Sequence, residues 1–150
     1  MDKTVLLERC YIALEDRLKQ IETAIQAAET SLKEETKSSA GDKYETSREM
    51  IQQDLDRLEG QRRLLLQEQA LLDRIAAQKH ASKQIGLGSV VHSEDGMVYF
   101  IAIGLGKLQL DNELAYAVSL TSPIGKQLQE KKKDDFFEIN GVKKKIISVI

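Results

Sequence analysis

The chain has 150 residues, of which 41% are hydrophobic and 31% are charged, and its net charge is -2. A net charge this small gives the chain no overall attraction to nucleic acid or to an anionic membrane surface. No segment is long and apolar enough for a signal peptide or a transmembrane helix, and the one cysteine, Cys10, can form no internal disulfide. We therefore expect a cytoplasmic protein that does not bind membranes.

An apolar heptad repeat marks the first part of the chain. Its members follow alternating steps of four and three residues: Leu7, Tyr11, Leu14, Leu18, Ile21, Ile25, Ala28 and Leu32. This spacing is typical of a coiled coil. The pattern returns less regularly between Ile51 and Leu72, where Arg62 interrupts it. We predict an antiparallel coiled-coil hairpin over residues 1–80, in which a helix of about 35 residues would be about 50 Å long.

A short acidic segment, Ala40-Gly41-Asp42-Lys43-Tyr44-Glu45, lies between the two helical patterns. We predict that it forms the tip of the hairpin, at about residues 38–46. Its carboxylates, Asp42 and Glu45, are three residues apart and have two interpretations. One is a metal site at the end of the hairpin. The other is a capping box, with Asp42 as the N-cap of the second helix and Glu45 at its N3 position.

Short strand patterns replace the heptad repeat after a polar, glycine-bearing linker at residues 81–87. The predicted strands cover residues 90–91, 98–103, 107–110, 115–120, 136–139 and 143–149. Turns are predicted at Glu94-Asp95-Gly96 and Asn140-Gly141, because Asp-Gly and Asn-Gly adopt the positive φ angles of hairpin turns. Ser122 and Pro123 are predicted to begin a short helix, as its N-cap and first residue. The predicted fold class is therefore α+β, with residues 88–150 as a small second domain.

Two lysine runs lie in the last twenty residues of this domain. Lys131-Lys132-Lys133 is followed at once by Asp134-Asp135, so we interpret it as a solvated surface. Lys143-Lys144-Lys145 lies in the last predicted strand, and we interpret it as protection of an edge strand against pairing with other chains. Neither run is expected to bind nucleic acid.

Three motifs, taken in order, resemble the bacterial Gre-type transcript cleavage factors. They are Gly41-Asp42-Lys43-Tyr44-Glu45 at the predicted tip, Leu87-Gly88-Ser89-Val90-Val91 at the first strand, and Ser122-Pro123-Ile124-Gly125 with Leu128 at the short helix. The resemblance spans nearly the whole chain. It implies an N-terminal coiled coil with an acidic tip, followed by an FKBP-like α+β domain.

The resemblance also implies a function and a set of site residues. In Gre-type factors the coiled coil enters the secondary channel of RNA polymerase, and the tip carboxylates help to hold a second Mg²⁺ for the cleavage of backtracked RNA. For this chain the resemblance implies that Asp42 and Glu45 position a shared Mg²⁺, which the tip alone would bind weakly. It further implies two groups of polymerase contacts: Gly41, Lys43 and Tyr44 at the tip, and Ser122, Pro123 and Ile124 in the second domain.

By the same resemblance the partner is RNA polymerase, and nascent RNA and DNA are approached only within the elongation complex. Polymerase would remain the catalyst, so the chain itself is not expected to be an enzyme. An intramolecular hairpin would leave it a monomer. After Glu45 the chain continues Thr46-Ser47-Arg48-Glu49, which departs from the family and leaves open a polymerase regulator without cleavage activity. A prolyl isomerase or chaperone, and a scaffold that dimerises through its heptads, also stay open.

Overall fold

The computed structural model describes residues 2–37, 41–79 and 82–150, with the backbone alone described for residues 36, 37 and 41–45. Two long helices come first, α1 (Lys3–Lys37) and α2 (Gly41–Ala76). The elements that follow are β1 (Val90–Ser93), β2 (Val98–Ile101), β3 (Gly106–Gln109), β4 (Leu114–Val118), α3 (Pro123–Leu128), β5 (Phe136–Ile139) and β6 (Val142–Val149). The fold class is α+β, as predicted.

The chain divides into two compact units. The hairpin unit is Leu14–Gln69, and the sheet unit combines Met1–Ala13 with Ala70–Ile150. Each unit therefore contains part of both long helices. The linker predicted at residues 81–87 is not tested by this division and stays a prediction.

The two helices of the hairpin unit run antiparallel to each other. One groove between them is lined by residues 17–21 of α1 and residues 61–68 of α2. A second groove is lined by residues 24–31 of α1 and residues 50–58 of α2. Because the α2 numbers fall as the α1 numbers rise, the helices point in opposite directions, as the hairpin prediction requires.

The seam between the helices follows the predicted heptad positions. Leu14, Leu55 and Leu58 are buried at such positions. Arg62, which interrupts the repeat, is exposed, and its Nε lies 3.6 Å from Oε1 of Glu22 on α1. An exposed ion pair of this kind contributes little, about 0–1 kcal/mol, so the leucines account for most of the pairing energy.

The sheet has six strands among the described residues, in the order β3-β4-β2-β1-β6-β5. The β2–β4 pair is parallel, and the other pairs are antiparallel. β6 lies between β1 and β5, so the interpretation of Lys143-Lys144-Lys145 as protection of an edge strand is wrong. The edges are β3 and β5, and β6 pairs with β5 through residues 142–145 and with β1 through residues 146–149.

Both predicted turns are present. Gly96 has φ +86° in the β1–β2 connection, and Asn140 and Gly141 have φ 51° and 79° between β5 and β6. Positive φ at both central residues is the signature of a type I′ hairpin turn, which Asn-Gly favours.

Both faces of the sheet carry buried side chains. On the first face Val91, Tyr99, Ile101, Phe137 and Ile146 form a core cluster with Leu128 of α3. On the second face Val90, Val98, Phe100, Ala115 and Ala117 are buried. The described helical ends in this unit, residues 3–13 and 70–76, carry buried side chains of their own: Leu6, Cys10, Leu72 and Ile75.

Candidate functional site

The candidate site suggested by the sequence lies at the beginning of α2. The helical backbone begins at Gly41, so positions 42 and 45 fall in its first turns and three residues apart. Residues at this spacing share one face of a helix. The structure describes only the backbone of five predicted site residues: Gly41, Asp42, Lys43, Tyr44 and Glu45. Residues 38–40 of the predicted tip lie outside the described residues. Their roles stay a prediction.

The start of α2 at Gly41 corrects the capping interpretation. An N-cap residue precedes the first helical residue, and Asp42 is already the second. The assignment of Asp42 as the N-cap is therefore wrong by two positions, and so is the assignment of Glu45 as N3. Carboxylates in the first turns of a helix remain favourable, because the unpaired N–H groups there carry partial positive charge.

The second group of predicted contacts, Ser122, Pro123 and Ile124, has a structural role at the start of α3. Ser122 is the N-cap, and its Oγ accepts a hydrogen bond from the Gly125 backbone N–H at 3.0 Å. The same Oγ donates to the Ser119 carbonyl oxygen at 2.6 Å. Pro123 is the first helical residue and is exposed, whereas Ile124 is half-buried against the core cluster. Capping and packing explain Ser122 and Ile124, and their docking role stays a prediction.

Gly125 completes this motif for a steric reason. A Cβ at this position would lie 2.0 Å from the Ser119 carbonyl oxygen and 2.9 Å from the Leu120 Cα. The turn before α3 therefore passes too close for any larger residue.

A charged contact that sequence reasoning missed joins the β1–β2 turn to β6. Lys144 Nζ donates a short hydrogen bond to Asp95 Oδ2, and the Met97 backbone N–H donates to Asp95 Oδ1 at 3.1 Å. Burial raises the pKa of Asp95, but these hydrogen bonds outweigh burial and hold the pKa below its usual value. The partners are 49 positions apart, and no local pattern could have paired them.

The residue types at positions 42 and 45 are both carboxylates. Carboxylates suit Mg²⁺, which takes oxygen ligands and keeps several waters. Among the residues whose side chains the structure describes, no group of three or more His, Cys, Asp or Glu is placed to hold a metal ion. The shared Mg²⁺ site stays a prediction.

Three of the aromatic residues that a prolyl isomerase pocket would need pack together at the core cluster: Tyr99, Tyr116 and Phe137. Tyr99 packs against Tyr116 with ring centroids 6.3 Å apart, and against Phe137 edge-to-face at 6.0 Å. These contacts fill the first face of the sheet, so the isomerase alternative gains no support from them.

The described parts define an α+β protein that combines an antiparallel helical hairpin with a six-stranded sheet. None of its described helices is both long and apolar enough to cross a membrane. No protein-family model and no curated protein matches the chain.

Solved structures of one kind of protein do match. The chain is similar to a structure of the transcription factor Gfh1, with 23% identity, a TM-score of 0.36, and coverage of 93% of this chain and 92% of that one. It is similar to GreA factor homolog 1 (Gfh1) of Thermus thermophilus, with 21% identity, a TM-score of 0.36, and coverage of 93% and 94%. Gfh1 of Thermus aquaticus matches with 22% identity, a TM-score of 0.34, and coverage of 95% and 94%.

Proposed function

We propose that the chain is a transcription elongation factor that binds bacterial RNA polymerase and stimulates the Mg²⁺-dependent cleavage of backtracked RNA. The observation that carries this proposal is the position of Asp42 and Glu45, three residues apart in the first turns of α2, where the second helix of an antiparallel hairpin begins. In this proposal the closed end enters the secondary channel, where nascent RNA and DNA are approached within the elongation complex.

The length of the hairpin supports this mode of action. From Gly41 to Gln69, α2 would span about 43 Å at 1.5 Å per residue. A helix of that length can carry two carboxylates into a deep channel while its other end stays outside. In this proposal the hairpin unit enters the channel, and the sheet unit docks on polymerase outside it.

The chemistry proposed for the two carboxylates is to complete a shared Mg²⁺ site. When bound there, a second Mg²⁺ would activate water and stabilise the leaving oxygen of the RNA. The start of a helix carries about half a positive charge, which opposes a cation, and two carboxylates reverse that sign. The carboxylates of Asp42 and Glu45 would therefore hold the ion only together with groups of polymerase, which remains the catalyst. Lys43 and Tyr44, in the same turn, would contact polymerase.

The test is RNA cleavage in purified, backtracked elongation complexes with Mg²⁺. The native chain is compared with the double variant Asp42→Asn, Glu45→Gln, which removes both charges with little change in helix propensity. A matched control, Asp54→Asn with Glu59→Gln, removes two charges further along α2. We expect the native chain and the control to accelerate cleavage and the double variant to bind polymerase without doing so.

Two other outcomes would contradict the proposal in different ways. If the native chain binds polymerase but accelerates no cleavage, it regulates the channel without cleavage, as the departure at Thr46-Ser47-Arg48-Glu49 allows. If it binds no polymerase, the proposed function is wrong altogether.

A further inference from the structure

The outer side of β5 is an unpaired strand edge. Among the described residues β5 pairs only with β6, and it is the last strand of the sheet. The bridge between Gln84 and Lys132 lies before β5 begins, so it leaves the strand itself uncovered. An edge of this kind offers its backbone N–H and C=O groups to a strand of another chain.

The ladder between β5 and β6 shows which backbone groups of β5 are free. The Asp135 carbonyl oxygen accepts a hydrogen bond from the Ile146 N–H at 2.9 Å, so position 135 faces β6. Bonded positions alternate along an antiparallel ladder, and the odd-numbered residues of β5 therefore face β6. Phe136 and Glu138 direct their N–H and C=O groups outward. The free edge thus consists of two donors and two acceptors.

The side chains along this edge are apolar and oppositely charged. Phe136 is 48% exposed, and Lys143 Nζ lies 5.3 Å from the centre of its ring. Glu138 is exposed and lies opposite Lys143 in the ladder. Phe136 lies opposite Lys145. Because opposite residues and alternate residues of a strand point to the same side, all four side chains share the second face of the sheet.

We propose that two copies of the chain pair side by side through β5, antiparallel, and form a symmetric dimer with one continuous sheet. The two-fold axis passes through the edge at Phe137. Phe136 of each copy then lies opposite Glu138 of the other copy. This inference goes beyond the proposed function and does not rest on it.

Backbone groups and charges select this register. The axis can lie at Phe136, Phe137 or Glu138, since one at the last residue of β5 would pair the strand with the hairpin turn. An axis at Phe136 would need the Asp134 N–H, which already donates to the Ile146 carbonyl oxygen at 2.9 Å. An axis at Glu138 would place two like charges directly opposite each other, which is unfavourable. Only the axis at Phe137 uses all the free N–H and C=O groups of Phe136 and Glu138.

The same register makes the side chains complementary. Glu138 of one copy comes to lie beside Phe136 of the other, and so beside the Lys143 ammonium that contacts that ring. An extended peptide of another protein could pair with the same edge. A second copy is favoured because it brings a carboxylate to Lys143 and covers the exposed ring of Phe136 in both chains.

The interface is expected to be weak. Two strands of four residues bury less than the roughly 1,000 Å² that a stable interface needs. The chain is therefore expected to be a monomer at micromolar concentration and to become a dimer toward millimolar concentration.

The test is sedimentation equilibrium of the full-length chain over this range, in the absence of polymerase. Glu138→Pro removes one outward N–H from each copy. The matched control is Gln109→Pro in β3, the other edge strand. There the Leu110 N–H donates to the Glu113 carbonyl oxygen at 3.1 Å, so position 109 faces outward as position 138 does.

A second pair of variants tests the register by charge. Glu138→Lys places like charges together, and Glu138→Lys combined with Lys143→Glu restores opposite charges across the same contact. This pair also decides the question if the proline variant does not fold, which circular dichroism shows for each variant.

We expect Glu138→Pro and Glu138→Lys each to weaken dimerisation about tenfold, because each acts twice in a symmetric interface. The charge exchange is expected to return the dissociation constant close to the native value, and Gln109→Pro to leave it unchanged. A native chain that stays a monomer at millimolar concentration would overturn the dimer. A dimer that tolerates Glu138→Pro and Glu138→Lys would show that β5 is not its interface. Weakening by Glu138→Lys that the exchange does not reverse would overturn the register. Each of these results leaves the proposed function to its own test with polymerase.

Discussion

Two glycines of this chain give opposite expectations for the same substitution. Gly60 lies inside α2, and a Cβ there would meet no atom within 4 Å. Gly125 lies inside α3, where a Cβ would meet the Ser119 carbonyl oxygen at 2.0 Å. We expect Gly60→Ala to stabilise the protein and Gly125→Ala to destabilise it.

The expected magnitudes follow from propensity and packing. Alanine is favoured over glycine in a helix interior by about 1 kcal/mol, and at Gly60 nothing opposes this gain. At Gly125 the atoms in the way belong to the backbone of Ser119 and Leu120, which cannot rotate aside as a side chain would. Forcing an extra methyl group into such a site costs about 1–3 kcal/mol. After the gain of about 1 kcal/mol in propensity is subtracted, we expect a net loss of about 0–2 kcal/mol for Gly125→Ala.

Thermal unfolding measures both changes. For a chain of this size, about 1 kcal/mol corresponds to a shift of about 2–4 °C in Tm. Far-ultraviolet circular dichroism reports mainly on the hairpin unit, and near-ultraviolet dichroism of the tyrosines reports on the sheet unit. A Gly125→Ala variant with a Tm above the native value would refute the close approach of the turn to α3. A Gly60→Ala variant without added stability would refute the open helical environment of that residue.

Two further predictions concern Cys10 and Tyr11, two neighbouring residues of α1. Cys10 is buried, and burial raises the pKa of its thiol to about 12. We expect no reaction of the native chain with a thiol-disulfide reagent at pH 8 and full reaction in urea; rapid reaction of the folded chain would show that Cys10 is accessible. Tyr11 Oη donates to Asp73 Oδ1 at 2.5 Å, and burial, this hydrogen bond and the Asp73 charge raise the pKa of Tyr11 from 10.0 to about 12. The folded chain therefore keeps a proton on Tyr11 that the unfolded chain loses near pH 10. The stability that the Tyr11–Asp73 hydrogen bond contributes is complete below pH 10 and is lost as the pH rises toward 12. We expect Tyr11→Phe to cost about 0.5–1.5 kcal/mol in urea unfolding at pH 8 and less at pH 11; an equal cost at both values would contradict the assignment.

The sequence predicted the local elements well, because their signals are local. Asn140-Gly141 adopts the positive φ angles that few other residue pairs tolerate. Ser122 and Pro123 satisfy the two separate needs of a helix start, a side-chain acceptor and a first residue without an N–H. Each of these signals is contained within four residues, so no knowledge of the rest of the chain is needed.

The order of the strands could not be predicted in the same way. Lysines in the last strand suggested an edge, but the position of β6 between β1 and β5 depends on pairing with residues about fifty positions away. Lys144 is accommodated there because Asp95 of the β1–β2 turn accepts its hydrogen bond. The exposure of Phe136 and Ile147 could not be predicted for the same reason, since exposure on one side of a strand follows from what packs on its neighbours.

The predicted tip shows how a shift of two residues in the start of a helix changes the interpretation of an experiment. Glycine is a poor helix former, so the sequence favoured Asp42 as the N-cap and placed the helix after it. With α2 beginning at Gly41, position 42 is the second helical residue, where a carboxylate is expected to interact with the helix dipole and not to act as a cap. Neutralising Asp42 and Glu45 is then expected to cost about 0.3–1 kcal/mol each in stability, well below the loss that would unfold a domain. A double variant that folds but stimulates no cleavage would therefore report on the charge at the closed end of the hairpin and not on the integrity of α2.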